Sequence, residues 1–246
     1  MRSLSISDPA LLGGLRSPIE VVMADGPAAF WPMQEASGDL ADISGNSRTA
    51  TKVGSGGVTY SVDGPGASIK AIEFAGSSGV GFSAADVDVW SSMNFSAEAW
   101  VYLGSSFFSG QYARYILAKH ASFTFNEFFV QVEDTDSGRL SAQVNNTSET
   151  NWANKLLASW GPPTGIWHHI VMVLSGSTVT LYVDGVSVGS AASAGGSRRG
   201  NSAGELAIGH SPAIASRSWK GRLCMAAFYD HALSAAQVGA HFAAMR

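Results

Sequence analysis

IWHHIVMVLSGSTVTLYVDGVSVG, residues 166–189, decides the fold. Two β-rich runs, HHIVMVL and STVTLYV, are split by Ser175-Gly176, a tight-turn pair. The second run feeds Val183-Asp184-Gly185-Val186. Asp-Gly between β-rich runs suits a type I′ hairpin, whose two central residues both need positive φ. Val179, Leu181 and Val183 fall on one face of the second run, Thr180 and Tyr182 on the other, which is the period of a strand. The stretch also holds His168, His169 and Asp184, residue types that bind metals and move protons. Strand alternation answers that reading. Adjacent residues project to opposite faces, so one histidine faces the core side and the other the opposite surface. They cannot meet at one metal. Asp184 opens the turn, where Asp is a turn former, and Trp167 is a packing residue.

The same pattern extends outward. AIEFAG (71–76), FSAEAWVYL (95–103), YILAKH (115–120), NEFFVQVED (126–134), GRLSAQV (138–144), ELAIGH and WKGRLCMAAFYD read as strands at short spacing. AAFWPM near the start is strand-like, and residues 54–66, with five glycines and a proline, are loop or edge. Each end carries a short helix. Ser17 caps the first, with Pro18 at its first position, Glu20 completing a capping box, and Gly26-Pro27 as the stop. Ser234 caps the second, with Gln237 closing the box and Leu233 and Val238 as a hydrophobic staple. Val238, Phe242 and Met245 form that helix's apolar face. About a dozen strands, no βαβ alternation and two terminal helices predict an all-β, two-sheet antiparallel sandwich. Residues 1–16 read as an arm, and 17–246 as one domain.

Composition narrows the function. The net charge is −4 and the pI about 5.8. Arg198-Arg199 is the sole basic cluster, which argues against nucleic acid or an anionic membrane as partner. Charged residues are 14%, against about 25% in typical domains. Such a surface is either bland or covered in an assembly, and a homo-oligomer is expected. Cys224 is the one cysteine, so no internal disulfide can form. The first fifteen residues make a poor signal peptide, and no run approaches a membrane span.

The candidate sites are few. Cys224, between Leu223 and Met225, reads as a buried inert thiol. Glu73 and Glu98 are strand carboxylates, but the paired acids of sandwich glucanases do not occur, nor do G-x-S-x-G, H-E-x-x-H or a P-loop. The expectation is a protein that is not an enzyme. In DISGN (42–46), Asp42 and Asn46 offer oxygen donors to calcium, or else build an Asx-type turn. Residues 145–165 form a long polar connection carrying Asn151, Trp152 and Trp160. Long connections in compact domains are often functional. With Tyr112 and Phe107-Phe108, its aromatics beside amides suit sugar rings, or else anchor a protein interface.

In order along the chain, AAFWPMQEASGDLADISGNSRTATKVG, FSAEAWVYL, ILAKH, WHHIVMVLSGSTVTLYVDGVSVG, LAIGH and WKGRLCMAAFYDHALSAAQVGAHF resemble the motifs of laminin-G-like, concanavalin A-like jelly-roll domains, over about residues 19–243. The resemblance implies a jelly roll that binds carbohydrate or protein, with no cofactor required. Many members hold calcium at one rim. Here Asp42 matches the loop acid, and Cys224 stands where the closing strand usually carries its partner. The opening SPIEVVMADGPAAFWPMQEASG is similar to modules in minor tail proteins of actinobacterial phages. That resemblance implies a virion protein assembled in the host cytoplasm, on a tail or as a capsid decoration. Its partners would be host surface or cell-wall glycan and other virion proteins, with residues 1–16 docking it on the particle. The competing expectations are a purely structural virion protein and a glycan-degrading enzyme.

Overall fold

The computed structural model describes residues 16–84, 93–108, 113–122, 125–133, 138–145, 155–192 and 205–246. Helix α1 (Pro18–Ala24) is followed by β1 (Ala29–Trp31), β2 (Ala50–Val53), β3 (Val58–Asp63), β4 (Lys70–Ala75), β5 (Gly81–Ala84) and β6 (Asn94–Leu103). Then come β7 (Arg114–Ser122), β8 (Phe125–Val132), β9 (Leu140–Val144), β10 (Leu156–Leu157), β11 (Trp167–Ser175), β12 (Thr178–Val183) and β13 (Val186–Ala192). The chain closes with β14 (Glu205–Ile208), a 3-10 turn at Ala215–Arg217, β15 (Lys220–Tyr229) and α2 (Ala235–Ala243).

Among the described residues the strands form two antiparallel sheets. One has eight strands, ordered β13-β12-β11-β6-β15-β4-β3 with β1 also on β15. The other has seven, ordered β10-β9-β8-β7-β14-β5-β2. Strand β15 pairs with β4 through residues 220–223 and with β1 through 226–228. The switch falls at a bulge beside Met225, whose φ is 54°. A bulge bends the strand and lets it serve two neighbours in succession.

Inward-facing residues of both sheets make one core. Phe128 of the seven-stranded sheet packs against Phe95 and Phe228 of the eight-stranded sheet, with ring centroids 5.3 and 5.8 Å apart. The inward set follows strict alternation: Phe95, Ala97, Ala99, Val101 and Leu103 on β6, and Phe128, Val130 and Val132 on β8.

Most of the expected elements occur. Both capping boxes form, and Leu233 and Val238 are buried. Asp184 and Gly185 stand at φ 50° and 80° between paired Val183 and Val186, the geometry a type I′ turn requires. Two details differ. The first tight turn is Gly176-Ser177, because Ser175 pairs with Thr178. The connection 145–165 is not continuous loop, because Leu156 and Leu157 pair with Ala142 and Ser141. Two leucines carry no period, so this edge strand had no sequence signal.

Candidate functional site

Each sheet has an outward face, and both bury polar groups. On the eight-stranded sheet the outward residues of β6 are Ser96, Glu98, Trp100 and Tyr102. Ser96 accepts a hydrogen bond from the Leu233 N–H at 2.9 Å and donates to the His231 carbonyl at 3.0 Å, fixing the approach to α2. Trp100 stacks between His169 and Phe242, with centroids 5.2 and 5.8 Å away. Tyr102 packs on Trp167 and lies under the Arg222 guanidinium.

Glu98 is the hub, and it is 1% exposed. His169 Nε2 lies 2.9 Å from Oε2, His241 Nδ1 lies 3.0 Å from the same oxygen, and the Tyr229 hydroxyl donates to Oε1 at 2.5 Å. The other nitrogen of His241 meets Asp25 Oδ2 at 2.8 Å. Burial pushes the Glu98 carboxyl up, but hydrogen bonds and charge from His169 and His241 outweigh it and hold the group well below the usual carboxylate range. Burial likewise lowers His241, and its two carboxylates overcome that and raise it. Burial and the neighbouring Glu98 push the Tyr229 phenol up.

Strand alternation therefore divides the histidine pair as the sequence requires. His169 faces outward beneath the helices. His168 faces the core side, with Nδ1 2.8 Å from Asp184 Oδ2. Asp184 is more than a turn residue, since its second oxygen accepts the His169 N–H at 2.8 Å. Burial raises Asp184 and these bonds bring it below its ordinary value. Among the described residues no group of three His, Cys, Asp or Glu gathers in a way that could hold a metal ion.

The outward face of the seven-stranded sheet is built differently. Here β8 presents Glu127, Phe129 and Gln131 in alternation, continued by Glu133 just past its end, and β9 presents Ser141 and Gln143, continued by Asn145. Glu133 Oε1 accepts from Gln131 Nε2 at 2.7 Å, Ser141 Oγ at 2.6 Å and Lys155 Nζ at 2.9 Å. Burial raises Glu133, and these three donors, Ser141 foremost, bring it below its ordinary value. Gln143 Nε2 donates to Asn145 Oδ1 at 2.7 Å. Lys119 Nζ and Glu127 Oε2 form an ion pair at 2.8 Å with side chains 0% and 1% exposed. Tyr115 and Phe129 pack edge to face at 5.5 Å, and Arg217 donates to the Tyr115 hydroxyl at 3.2 Å. These two aromatics, with Ala118 and Ala207, form an apolar cluster separate from the main core. Gln131 Oε1 is buried with no hydrogen-bond partner among the described residues.

Tyr112, Asn151 and Trp152 lie outside the described residues. Trp160 is half-buried against the core, with its ring edge to face with His168 at 4.9 Å and its carbonyl accepting from Leu140 at 3.1 Å. Leu140 opens β9 at the sheet end where Arg114 opens β7, the strand that Tyr112 precedes. The connection carrying Asn151 and Trp152 leaves β9 from Val144 at the other end, roughly 13 Å away at strand rise. Trp160 therefore packs as a wall of the sandwich at one end of the sheet, and the Asn151–Trp152 connection begins at the other. Phe107 is buried, and Phe108 is exposed.

Asp42 and Asn46 are committed to their loop. Asp42 Oδ1 accepts from the N–H groups of Phe30 and Ser44, and Oδ2 from the Arg48 N–H and the Ser44 hydroxyl, all within 3.0 Å. Burial raises Asp42, and these bonds bring it below its ordinary value. Asn46 Nδ2 donates to the Ala28 carbonyl at 3.0 Å, and the Arg48 guanidinium donates to the same oxygen. The oxygen set that sequence offered to calcium thus builds the turn, with Arg48 as the local positive charge. Cys224 is buried against Trp100's strand, and burial pushes its thiol well up.

The profile of Laminin_G_3, the concanavalin A-like lectin/glucanases superfamily, matches residues 74–239. The chain belongs to this family. A comparison with curated proteins finds no match. Solved structures share the laminin-G-like fold at low identity. Domain 4 of the extracellular arabinanase AbnA from Geobacillus stearothermophilus, solved with arabinotriose, aligns at TM-score 0.65 and 19% identity, covering 87% of this chain and 97% of that one. The binding domain of Paraclostridial Mosquitocidal Protein 1 aligns at 0.67 and 15% identity, over 89% of this chain and 52% of that one. Trypanosoma rangeli sialidase aligns at 0.62 and 12% identity, over 88% of this chain and 32% of that one. The laminin-G-like chain thus spans nearly all of the arabinanase domain, about half of the toxin chain and a third of the sialidase.

Sequence reading missed the partners of Glu98. His241 lies three residues from Val238 on the buried face of α2, so helical spacing could have placed it there. Asp25 and Tyr229 carried no signal. The alternation on β8 and β9 was legible, but an alternating polar face normally meets water, and its burial was not.

Proposed function

We propose that this laminin-G-like chain is a non-catalytic carbohydrate-binding protein of a phage virion surface, minor tail or capsid decoration. It takes host surface or cell-wall glycan over the outward face of the seven-stranded sheet. The observation that carries this is the polar ladder on β8 and β9. A buried polar network with nearly all partners satisfied is rigid, and rigid support is what a binding residue on an adjoining connection needs. In this reading Lys119–Glu127, Gln131, Glu133, Ser141, Gln143 and Asn145 form the buried floor of the site. Asn151, Trp152 and Tyr112, on connections adjoining β7 and β9, supply the amide and the flat apolar faces that sugar rings need. The arabinanase domain of similar fold was solved with a trisaccharide, which supports this class of ligand.

The carboxylates favour binding over hydrolysis. Glu127 and Glu133 are six residues apart on one strand, roughly 20 Å, against the 5–9.5 Å of glycosidase pairs. Glu98 is locked beneath the helices on the other sheet. The test is a glycan array and a host cell-wall pull-down, with arabinotriose as first soluble probe. Trp152→Ala should lose at least about tenfold in affinity, or ~1.4 kcal/mol. Undiminished binding in that variant removes the connection from the site. Sugar release abolished by Glu127→Gln would overturn the non-catalytic reading.

The virion setting rests on the resemblance of the opening residues and on the low charge. Mass spectrometry of purified particles tests it, and absence from particles would sink it without touching the glycan reading. The low charge also favours a second reading, a structural homo-oligomer held by protein contacts. Light scattering that gives a monomer would count against that.

A further inference from the structure

His241 joins three elements. It sits on α2, one ring nitrogen faces Glu98 on β6, and the other faces Asp25, the C-cap of α1. Neutral imidazole carries one N–H, and its second nitrogen is an acceptor. Two carboxylates, 3.0 and 2.8 Å away, can both be satisfied only when both nitrogens carry protons. The titratable groups facing His241 are Glu98 on β6, Tyr229 on β15 and Asp25 on α1, with His169 of β11 on the same Glu98 oxygen, Oε2. Asp230 and His231 pair with each other at 3.1 Å just beyond Tyr229. Trp100, Val22, Met225 and Met245 supply the apolar walls. No lysine or arginine is among the described hydrogen-bond partners of either carboxylate.

The two carboxylates are not equal. The Glu98 side chain is 1% exposed and the Asp25 side chain 23%. An unpaired buried charge costs far more than one that can reach water. When His241 has a single proton to give, Glu98 keeps it and Asp25 turns to solvent.

We propose that His241 is a protonation-dependent latch: its doubly hydrogen-bonded imidazolium ties the end of α1 to the sheet, and loss of one proton frees Asp25, and with it α1, while α2 stays on Glu98. Helix α1 is seven residues long, with Val22 buried and Ile19 and Met23 partly buried against the core, and the Asp25 bond is the polar tie that adds to this packing. The direction follows from the raised His241. The contribution is complete below the unfolded value near 6.5 and is lost as pH rises through the higher folded value. At the acid end, the depressed Glu98 keeps its own contribution until pH falls well below the ordinary glutamate range.

The experiment follows His241 by NMR across pH and, in parallel, hydrogen exchange of the Val21–Gly26 amides in the full chain. Protection of those amides should fall about tenfold across the His241 titration, while β6 and β11 amides keep theirs. In Asp25→Asn, whose amide can serve either imidazole form, the dependence should vanish and the His241 midpoint should drop. If Asp25→Asn does not fold, Asp25→Ser takes its place, with a hydroxyl that both donates and accepts. Protection of α1 that is flat with pH in the natural chain, or equally pH-dependent in the variant, overturns the latch.

Discussion

The two outward faces of the sandwich bury charge in opposite ways. On the eight-stranded sheet, one carboxylate gathers three donors beneath two helices, and Trp100, Phe242 and Met245 seal the rest. Both oxygens of Glu98 are spoken for. On the seven-stranded sheet, polar groups run as a ladder along β8 and β9, and Gln131 Oε1 is left without a partner among the described residues. A carboxylate shared by side chains of three other elements holds a fold together. A buried ladder stiffens the sheet beneath the connections that follow its strands, which is what the proposed binding face requires. In this fold His169 and His241 mark the structural face, and the plain polar strands mark the candidate binding face.

The largest effect that separates the faces is expected at Glu98. Glu98→Ala leaves a buried imidazolium without its partner, a loss of about 3–5 kcal/mol, and should lower Tm by about 10 °C in thermal unfolding. Glycan affinity of the folded protein, measured well below the new midpoint, should not change. Lys119→Met removes the buried cation beside Glu127 and should cost about 3 kcal/mol, but here affinity should fall as well. The double change Lys119→Met with Glu127→Leu should recover much of the stability and none of the binding. Gln131→Ala should cost about 1 kcal/mol of stability and weaken glycan a few-fold by isothermal titration. Trp152→Ala should leave stability within about 0.5 kcal/mol while reducing affinity. Equal effects on binding from Glu98 and Lys119 variants would erase the distinction between the faces.

Much of the fold was readable because it is written in short-range rules. The turn at Asp184-Gly185, both capping boxes and the division of His168 from His169 each depend on neighbouring residues alone. The missed elements depend on distant ones. Leu156-Leu157 became a strand because Ser141 and Ala142 offered an edge. Asp42 was readable as a cation ligand or as a turn former, and its oxygens accept from three backbone N–H groups and a hydroxyl, one of them twelve residues away. Glu98 looked like an isolated strand acid because its partners lie 71, 131 and 143 residues away along the chain. The alternation Glu127, Phe129, Gln131, Glu133 was visible, yet only the assembled sheet shows it lined up with Ser141 and Gln143.

Amide NMR of the full chain, titrated first with arabinotriose and then with soluble host cell-wall fragments, places the ligand directly. The expected result is saturable shifts in Phe128–Val132 and Leu140–Asn145, with β6, β11 and α2 unmoved. Saturable shifts centred on Glu98, His169 and His241, with β8 and β9 silent, would contradict the assignment of binding to the seven-stranded sheet.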